Sequence, residues 1–282
     1  MSLRLGVATQ GPTYERMQAP LAAAGITVVP LDSAGVTLSL SEPELPAFDV
    51  GFVYPPRFGT AAVLDAVHAV PWVNDRATVA HSRNKAATLA ALADVVPVPP
   101  TVLAAAPRDR QAVAAAADEL GYPLVLKPTV ATQGIGVTRV HDRDALEGVL
   151  DYLDAIHRFP PTGEKSVLLQ AFLPEATDIR VMVIDGTAVG AVERYGPGWK
   201  HNVHRGAAVR SVPVDGELAA VAETVARTLA IDYVGVDLLR SDGVVYCSET
   251  NARPTIDDPA LYQSNIYDEL IKFIFKIKRN HI

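Results

Sequence analysis

The chain has 282 residues, of which 49% are hydrophobic and 20% charged; this composition excludes a disordered chain and a coiled coil, and the length suits one enzyme of two or three subdomains. The formal net charge is −7, so the chain lacks the overall positive field of a nucleic-acid-binding protein. Its single cysteine, Cys247, excludes an intramolecular disulfide and favours a reducing compartment.

Residues 1–74 alternate short apolar runs with amphipathic ones, which predicts a parallel, doubly wound sheet. The first apolar run starts without a signal-peptide pattern, and no uncharged stretch reaches the ~18 apolar residues of a membrane span. We therefore expect a cytoplasmic protein. The predicted strands are residues 3–8, 26–31, 49–54 and 71–74, and the predicted helices are residues 14–24 and 60–70.

A second unit is predicted after a cluster of prolines. Residues 76–92 are alanine-rich and predict one helix, which carries Lys85. Pro97, Pro99 and Pro100 cannot continue a helix, so they predict a linker. Beyond the linker the pattern predicts helices at residues 109–120 and 143–156, and strands at residues 124–127 and 136–140 with a glycine loop between them.

From Ser166 onward the pattern changes to strands that follow one another closely. Asp185-Gly186 is typical of a tight hairpin turn between two of them. The predicted strands are residues 167–172, 179–184, 188–194, 207–212, 233–239 and 244–249, and the predicted helices are residues 217–230 and 262–275.

The first chemical signal is Lys127, which ends a predicted strand and precedes a loop that contains Gly134 and Gly136. An ammonium group and several backbone N–H groups at such a place can surround phosphates. The loop is neither a Walker A motif nor a dinucleotide fingerprint, because it lacks Gly-Lys-Ser/Thr and leads into a strand. Taken alone, an ordinary β-hairpin with glycines in its turn explains the pattern equally well.

The second signal is a group of oxygen-bearing side chains on the last two predicted strands. Glu249 and Asn251 are two positions apart, so they share one face of their strand, and an antiparallel neighbour would bring Asp237 beside them. Carboxylate and amide oxygens suit Mg²⁺ held together with nucleotide phosphates. The alternative is that Glu249 and Asn251 simply begin a loop.

The third signal is a set of basic residues in an acidic protein. Arg180 and Arg194 matter for catalysis only if they point inward; the alternative is a solvated sheet face with surface ion pairs. His201 and His204 are three apart in a strand or loop, which is a poor metal geometry, so we interpret neither as a ligand.

Together these motifs, in this order, resemble the ATP-grasp carboxylate–amine ligases of the RimK type, a group that includes the ribosomal-protein glutamate ligases. The resemblance covers roughly residues 75 to 255. The segments that carry it are Ser82-Arg83-Asn84-Lys85, Thr132-Gln133-Gly134-Ile135-Gly136-Val137, Asp178-Ile179-Arg180, Lys200-His201-Asn202-Val203-His204-Arg205-Gly206, and Asp237 with Glu249-Thr250-Asn251.

The resemblance implies a role for each matching position. The positions that match nucleotide contacts are Lys85, Lys127, Gln133, Gly134, Gln170, Ala171, Phe172, Leu173, Asp178, Lys200, His201 and Asn202. In the family the two lysines contact phosphates, and the backbone of residues 170–173 reads the adenine edge. Asp237, Glu249 and Asn251 match magnesium ligands, while Arg180, Arg194 and Arg205 match arginines near the γ-phosphate and the acyl phosphate.

The sequence departs from the family in three places. Ala171 stands where an acidic residue is frequent, and Ala131 replaces a glycine of the phosphate loop. After Asn251 the family usually continues with a small residue and Pro-Gly, whereas this chain continues with Ala-Arg-Pro-Thr-Ile-Asp-Asp. Arg253 in that loop can pair with a substrate carboxylate, or equally with its neighbours Asp257 and Asp258.

The resemblance implies an ATP-grasp fold of the α/β (α+β) class. We expect an N-terminal α/β domain (residues 1–95), a central lid with the glycine loop (96–170) and a C-terminal subdomain with the metal site (171–282). The implied reaction forms an amide from a carboxylate and an amine, with glutamate the expected kind of amino acid, through an acyl phosphate. The implied cofactors are ATP and two Mg²⁺ ions, for which Mn²⁺ can substitute.

Two alternatives remain open from the sequence: a ligase for a different carboxylate–amine pair, and an ATP-grasp small-molecule kinase. For the ligase, the expected partners are a small-molecule amino acid and a carboxylate acceptor, either a small molecule or a protein tail. Neither nucleic acid nor a membrane is an expected partner. A homo-oligomer is compatible with the sequence.

Overall fold

A computed structural model describes residues 2–8, 12–31, 37, 39–42, 44, 46–53, 63, 66–67, 69–105, 109–131, 134–158, 166–201 and 206–281. The described chain forms three sheets: an N-terminal sheet of four strands, a central sheet of four strands and a large sheet of five strands. The predicted mixture of helices and sheets is confirmed. No helix in the described ranges is long and apolar enough to cross a membrane.

The N-terminal sheet is parallel, as predicted, and the helix Pro12–Ala23 connects its first two strands in the chain. Its strand order is β2-β1-β3-β4. The elements are β1 (Leu3–Val7), α1 (Pro12–Ala23), β2 (Ile26–Pro30), β3 (Val50–Phe52) and β4 (Trp72–Val73). Most of the helix predicted at residues 60–70 lies outside the described residues.

The single helix predicted at residues 76–92 is wrong. Two helices are present, α2 (Arg76–Arg83) and α3 (Lys85–Leu92), and Asn84 separates them with extended backbone angles. Its backbone N–H closes the first helix on His81 O, and its side chain accepts a hydrogen bond of 3.2 Å from Ala87 N to start the second. An asparagine at an N-cap stabilises this arrangement. The break places Lys85 at the first position of α3.

The central sheet is antiparallel, in the order β5-β8-β6-β7. Its elements are β5 (Thr101–Ala104), α4 (Arg110–Leu120), β6 (Leu124–Pro128), β7 (Thr138–Val140), α5 (Arg143–Arg158) and β8 (Val167–Ala171). The strand β5 was not predicted, because the prolines before it signal only a break. Apolar residues of α4 and α5 form a core of their own with this sheet.

The large sheet follows β8, in the order β11-β10-β9-β12-β13, and all its pairs are antiparallel. Its elements are β9 (Thr177–Ile184), β10 (Thr187–Tyr195), β11 (Ala208–Val212), α6 (Gly216–Leu229), β12 (Tyr233–Ser241) and β13 (Val244–Asn251). The predicted hairpin turn at Asp185-Gly186 is confirmed, since both residues have positive φ.

The last helix, α7 (Ile266–Arg279), joins the N-terminal and large sheets. Buried residues of α7, such as Leu270 and Ile274, share one core with residues of β1, β9 and β12. This helix begins four residues later than residue 262 because a short 3-10 helix (Pro259–Leu261) precedes it and Asn265 caps it.

Candidate active site

A cavity of about 470 Å³ lies between the central sheet and the large sheet. Most of the site residues predicted from the sequence line it: Lys85, Lys127, Gly134, Gln170, Ala171, Phe172, Leu173, Asp178, Arg194, Lys200, His201, Asp237 and Glu249. Three predicted residues, Arg180, Asn251 and Arg253, are not among those that line it. Gln133, Asn202 and Arg205 lie outside the described residues.

The register of the large sheet brings its charged residues onto one face. Arg194 of β10 lies opposite Asp178 of β9, and Arg180 of β9 lies opposite Asp237 of β12. Asp237 in turn lies opposite Glu249 of β13. Because side chains two positions apart share a face, these residues form one row across four strands. The row faces the end of the cavity.

Asp237 is the centre of that row, and it is buried. Arg180 binds it with two hydrogen bonds, from Nε to Oδ1 at 2.6 Å and from Nη2 to Oδ2 at 2.8 Å. Arg194 donates to Asp178 at 2.5 Å and lies 3.4 Å from Asp237. Burial alone would raise the pKa of Asp237, but the two guanidiniums outweigh it and hold that pKa well below its ordinary value. The alternative of a solvated sheet face is therefore wrong.

Two lysines lie at the same end of the cavity: Lys85 begins α3, and Lys127 belongs to β6 of the central sheet. The Nζ of Lys85 donates to Ala131 O at 2.8 Å and forms an ion pair of 3.2 Å with Glu249. The Nζ of Lys127 is buried and donates to Gln170 Oε1 at 2.9 Å. Burial lowers the pKa of Lys127 to about 8, although the charge of Glu249 raises it. These ammonium groups can bind an anion in the cavity.

The glycine loop is both a hairpin connection and a wall of the cavity. It joins the antiparallel strands β6 and β7, and Gly134 lines the cavity. Gly136 has a φ of 74°, and a Cβ atom there would lie 2.8 Å from Pro128 Cγ. Both the left-handed backbone and the close approach require glycine. The two interpretations offered for this loop therefore do not exclude each other.

The other end of the cavity is formed by aromatic and basic side chains, of which the sequence analysis predicted Phe172 and Lys200 but missed Trp199 and Arg139. Phe172 packs edge-on against Trp199, with ring centroids 6.0 Å apart. The guanidinium of Arg139 lies 5.1 Å from the Phe172 ring and 5.7 Å from the Trp199 ring. The Nζ of Lys200 lies 5.1 Å from the Trp199 ring and donates to Val137 O. The adjacency of Trp199 to the basic motif was the only available signal.

The predicted metal ligands are brought together in part. Asp237 and Glu249 are cross-strand neighbours in the cavity, whereas Asn251 lies past its edge and its Oδ1 accepts a hydrogen bond of 2.9 Å from Arg253 N. Within the described ranges, no three His, Cys, Asp or Glu side chains are grouped for a metal ion. Two carboxylates and an amide fit Mg²⁺ by donor type, and phosphate oxygens can complete such a set.

Removal of the Lys127 ammonium is expected to weaken binding of a Mg²⁺–ATP analogue by about tenfold to a hundredfold, the value of a hydrogen bond to a charged group. In wild-type protein the affinity should also fall as the pH rises from 7.5 to 9.5. Phosphate binding requires the protonated amine, which free protein loses above about pH 8. Calorimetry of wild type and Lys127→Ala across this range tests both effects. Unchanged affinity in the variant would contradict the assignment.

Comparison with known proteins gives one consistent family. A profile of the RimK-like ATP-grasp domain matches residues 82–274. A probable alpha-L-glutamate ligase from Enterobacter sp. (strain 638) is 31% identical over 207 residues, which cover 71% of this chain and 66%, about two thirds, of that protein. The ribosomal protein bS6–L-glutamate ligase of Escherichia coli O139:H28 is 30% identical over 227 residues, which cover 76% of this chain and 72% of that protein.

Solved structures agree on the fold. A RimK domain ATP-grasp protein from Sphaerobacter thermophilus superposes with a TM-score of 0.71 at 22% identity, over 96% of this chain and 99% of that one. A D-alanine–D-alanine ligase from Bacillus anthracis gives a TM-score of 0.73 at 15% identity, over 99% of this chain and 100% of that one. At these identities the likeness concerns the fold.

Proposed function

The chain belongs to the RimK-like ATP-grasp family of ATP-dependent carboxylate–amine ligases, and from this premise we propose that the cavity between its central and large sheets activates the carboxylate. One observation carries the proposal. Cations from three directions, Lys85, Lys127 and Arg194, meet the carboxylates Asp237 and Glu249 at one end of a cavity. A polyphosphate needs such cations, and the carboxylates fit its metal ions.

ATP is proposed to lie along this cavity with its base at the aromatic end. Ala171 N–H already donates to Pro100 O, so the backbone of Phe172 and Leu173 is the part of the hinge left to read the adenine. Lys127 and Lys85 bind the phosphates, and the N–H groups of the glycine loop cover them. Asp178, Lys200 and His201 are proposed as further nucleotide contacts.

The proposed chemistry has two steps. An oxygen of the substrate carboxylate attacks the γ-phosphorus, the bond to the β-phosphate oxygen breaks, and ADP leaves an acyl phosphate behind. The substrate amine then attacks the acyl carbon, phosphate leaves, and the amine loses a proton. Arg180 and Arg194 are proposed to neutralise charge on the transferred phosphoryl group: both guanidiniums lie beside Asp237, and Arg194 itself lines that end of the cavity.

Mg²⁺ is proposed to be held by Asp237 and Glu249, with Asn251 as a third ligand. When bound, magnesium neutralises phosphate charge and polarises the γ-phosphoryl group. Two ions, and substitution by Mn²⁺, are part of the proposal. Both oxygens of Asp237 are bound by Arg180, so this carboxylate is shared between the guanidinium and the metal.

The substrates are proposed by analogy with the relatives, whose names specify L-glutamate. We propose that the amine is an amino acid such as glutamate and that the acceptor carboxylate belongs to a small molecule or a protein tail. We also propose that the chain divides into three domains at residues 95 and 170. A cytoplasmic location and self-association are further proposals.

A coupled assay of ADP release tests the proposed function. We expect wild-type protein with Mg²⁺ and ATP to release ADP at an appreciable rate only when an acid and an amine are both present, in a screen of amino acids against candidate acceptors. A kinase would instead release ADP with one substrate and leave a stable phosphorylated product. ADP release that never depends on an amine would contradict the ligase assignment.

A further inference from the structure

Two arginines are brought side by side where α2 ends and β13 ends. The hydroxyl of Ser82 in α2 accepts a hydrogen bond of 3.0 Å from Ala252 N and lies 3.1 Å from the hydroxyl of Thr250. The residue after Ser82 is Arg83, and the residue after Ala252 is Arg253. The two cationic residues therefore flank one hydrogen bond, and Arg83 lies near enough for its charge to act on Arg253.

Arg253 is half-buried, and no carboxylate among the described residues forms an ion pair with it. Its Nε is buried without a hydrogen-bond partner, and its Nη2 donates only a long bond of 3.4 Å to Ala8 O. The ion pairs with Asp257 or Asp258, weighed as an alternative above, are not formed in the part of the chain described. Asp257 instead accepts from the Tyr262 hydroxyl, and Asp258 accepts from Ala260 N.

An unpaired guanidinium at such a place indicates an anion that the protein itself does not supply. Burying a charge without a partner is costly, because water no longer solvates it. The planar guanidinium with a free Nε matches the two oxygens of a carboxylate.

The position of Arg253 separates this anion from the nucleotide. Arg253 does not line the cavity proposed for ATP. Its backbone N–H bonds Asn251 Oδ1, and the next residue, Pro254, lies against Gly235, where a Cβ atom would be 3.1 Å from Pro254 and 3.3 Å from Arg180. An anion at Arg253 would thus lie outside the lining of the cavity proposed for ATP and near the Arg180 end of the arginine row.

We propose that Arg253, with Arg83 beside it, forms a subsite for the α-carboxylate of the amino acid that supplies the amine. This inference rests on the proposed function and names the substrate class of the same site. The subsite holds the amino acid by a carboxylate that does not react, and it keeps that carboxylate away from the γ-phosphate. The amino group, one carbon away, is then left to approach the acyl carbon near Arg180.

Calorimetry with matched probes tests the subsite. Protein saturated with Mg²⁺ and a non-hydrolysable ATP analogue is titrated with L-glutamate, with L-isoglutamine, which lacks the α-carboxylate, and with L-glutamine, which lacks the side-chain carboxylate. We expect wild type to bind glutamate about thirtyfold or more tightly than isoglutamine, as for a buried charge pair. Arg253→Gln should make the two affinities equal. The charge-matched control Arg227→Gln, on the exposed face of α6, should change neither affinity.

Several outcomes would overturn the inference. The inference is wrong if wild type binds glutamate and isoglutamine equally, or does not bind glutamate. It is also wrong if Arg253→Gln still distinguishes these two probes, or if Arg253→Gln loses affinity for glutamine alone. If Arg253→Gln does not fold, Arg253→Lys keeps the charge without the fork, and it should still reduce the preference at least about fivefold. Binding of the Mg²⁺–ATP analogue is measured first. If wild type does not bind the analogue, the proposed function is contradicted. If it binds the analogue but the amino-acid titrations fail as described, only the subsite is contradicted.

Discussion

Asp237→Ala is expected to lower the free energy of unfolding by about 3–5 kcal/mol, a large part of the ~5–15 kcal/mol by which folded domains are typically stable. The reason is the pair of guanidiniums around this carboxylate. Arg180 is bound to both of its oxygens and Arg194 lies 3.4 Å away, so the variant would leave both cations buried with their main counter-charge removed. Urea unfolding followed by circular dichroism measures the loss.

The control for this prediction is a carboxylate that also pairs with arginine but in solvent. Asp154 is exposed and lies 2.5 Å from Arg110, so Asp154→Ala should cost less than about 1 kcal/mol. A loss of similar size in both variants, or an Asp237→Ala protein as stable as wild type, would show that the charged row is not the buried network described above.

Glu249→Gln is expected to reduce kcat by about a hundredfold or more while the protein stays folded. Glu249 is the more exposed of the two acidic side chains proposed as metal ligands, and it forms an ion pair with Lys85. An amide keeps the shape but removes the negative charge that balances the cations and Mg²⁺. ADP release measured over a range of Mg²⁺ concentrations, with the unfolding midpoint as a check, tests this.

The matched control is Glu175→Gln, since Glu175 also lines the cavity but is exposed and is not a proposed metal ligand. Its rate should stay within about twofold of wild type. Near-normal turnover of Glu249→Gln at low millimolar Mg²⁺ would remove Glu249 from the proposed ligand set.

Much of the fold was predictable because hydrophobic periodicity survives in long elements. Strands such as β9 and β12 and the helix α6 lie within a few residues of their predicted positions. Local capping was harder to predict: Asn84 breaks a helix because its side chain caps the next one, a choice that alanine-rich neighbours conceal. The strand β5 was missed because its partner β8 lies more than 60 residues away in sequence.

The candidate site could be predicted from the sequence where alternate residues of a strand face the same side of the sheet. Period-two spacing placed Glu249 on one face of its strand, and an antiparallel neighbour brought Asp237 beside it, whereas Asp178 was identified only through the family resemblance. Arg139 belongs to β7 of the central sheet, whereas Trp199 follows β10 of the large sheet. Both were missed because a local sequence pattern does not reveal a contact between different sheets. For Arg253 the sequence offered two partners at equal weight. Only the three-dimensional arrangement shows that neither neighbouring aspartate pairs with it.

The central claim is that ATP phosphorylates the substrate carboxylate, and it is tested most directly by following ¹⁸O from that carboxylate into phosphate. The acid identified in the ADP-release screen is labelled with ¹⁸O in its carboxylate and incubated with the protein, Mg²⁺, ATP and the amine, and the released phosphate is analysed by mass spectrometry. Attack of the carboxylate on the γ-phosphorus predicts that one ¹⁸O atom moves into phosphate for each amide formed. Amide formation with unlabelled phosphate, or ADP release that leaves a stable phosphorylated product and no amide, would contradict the account.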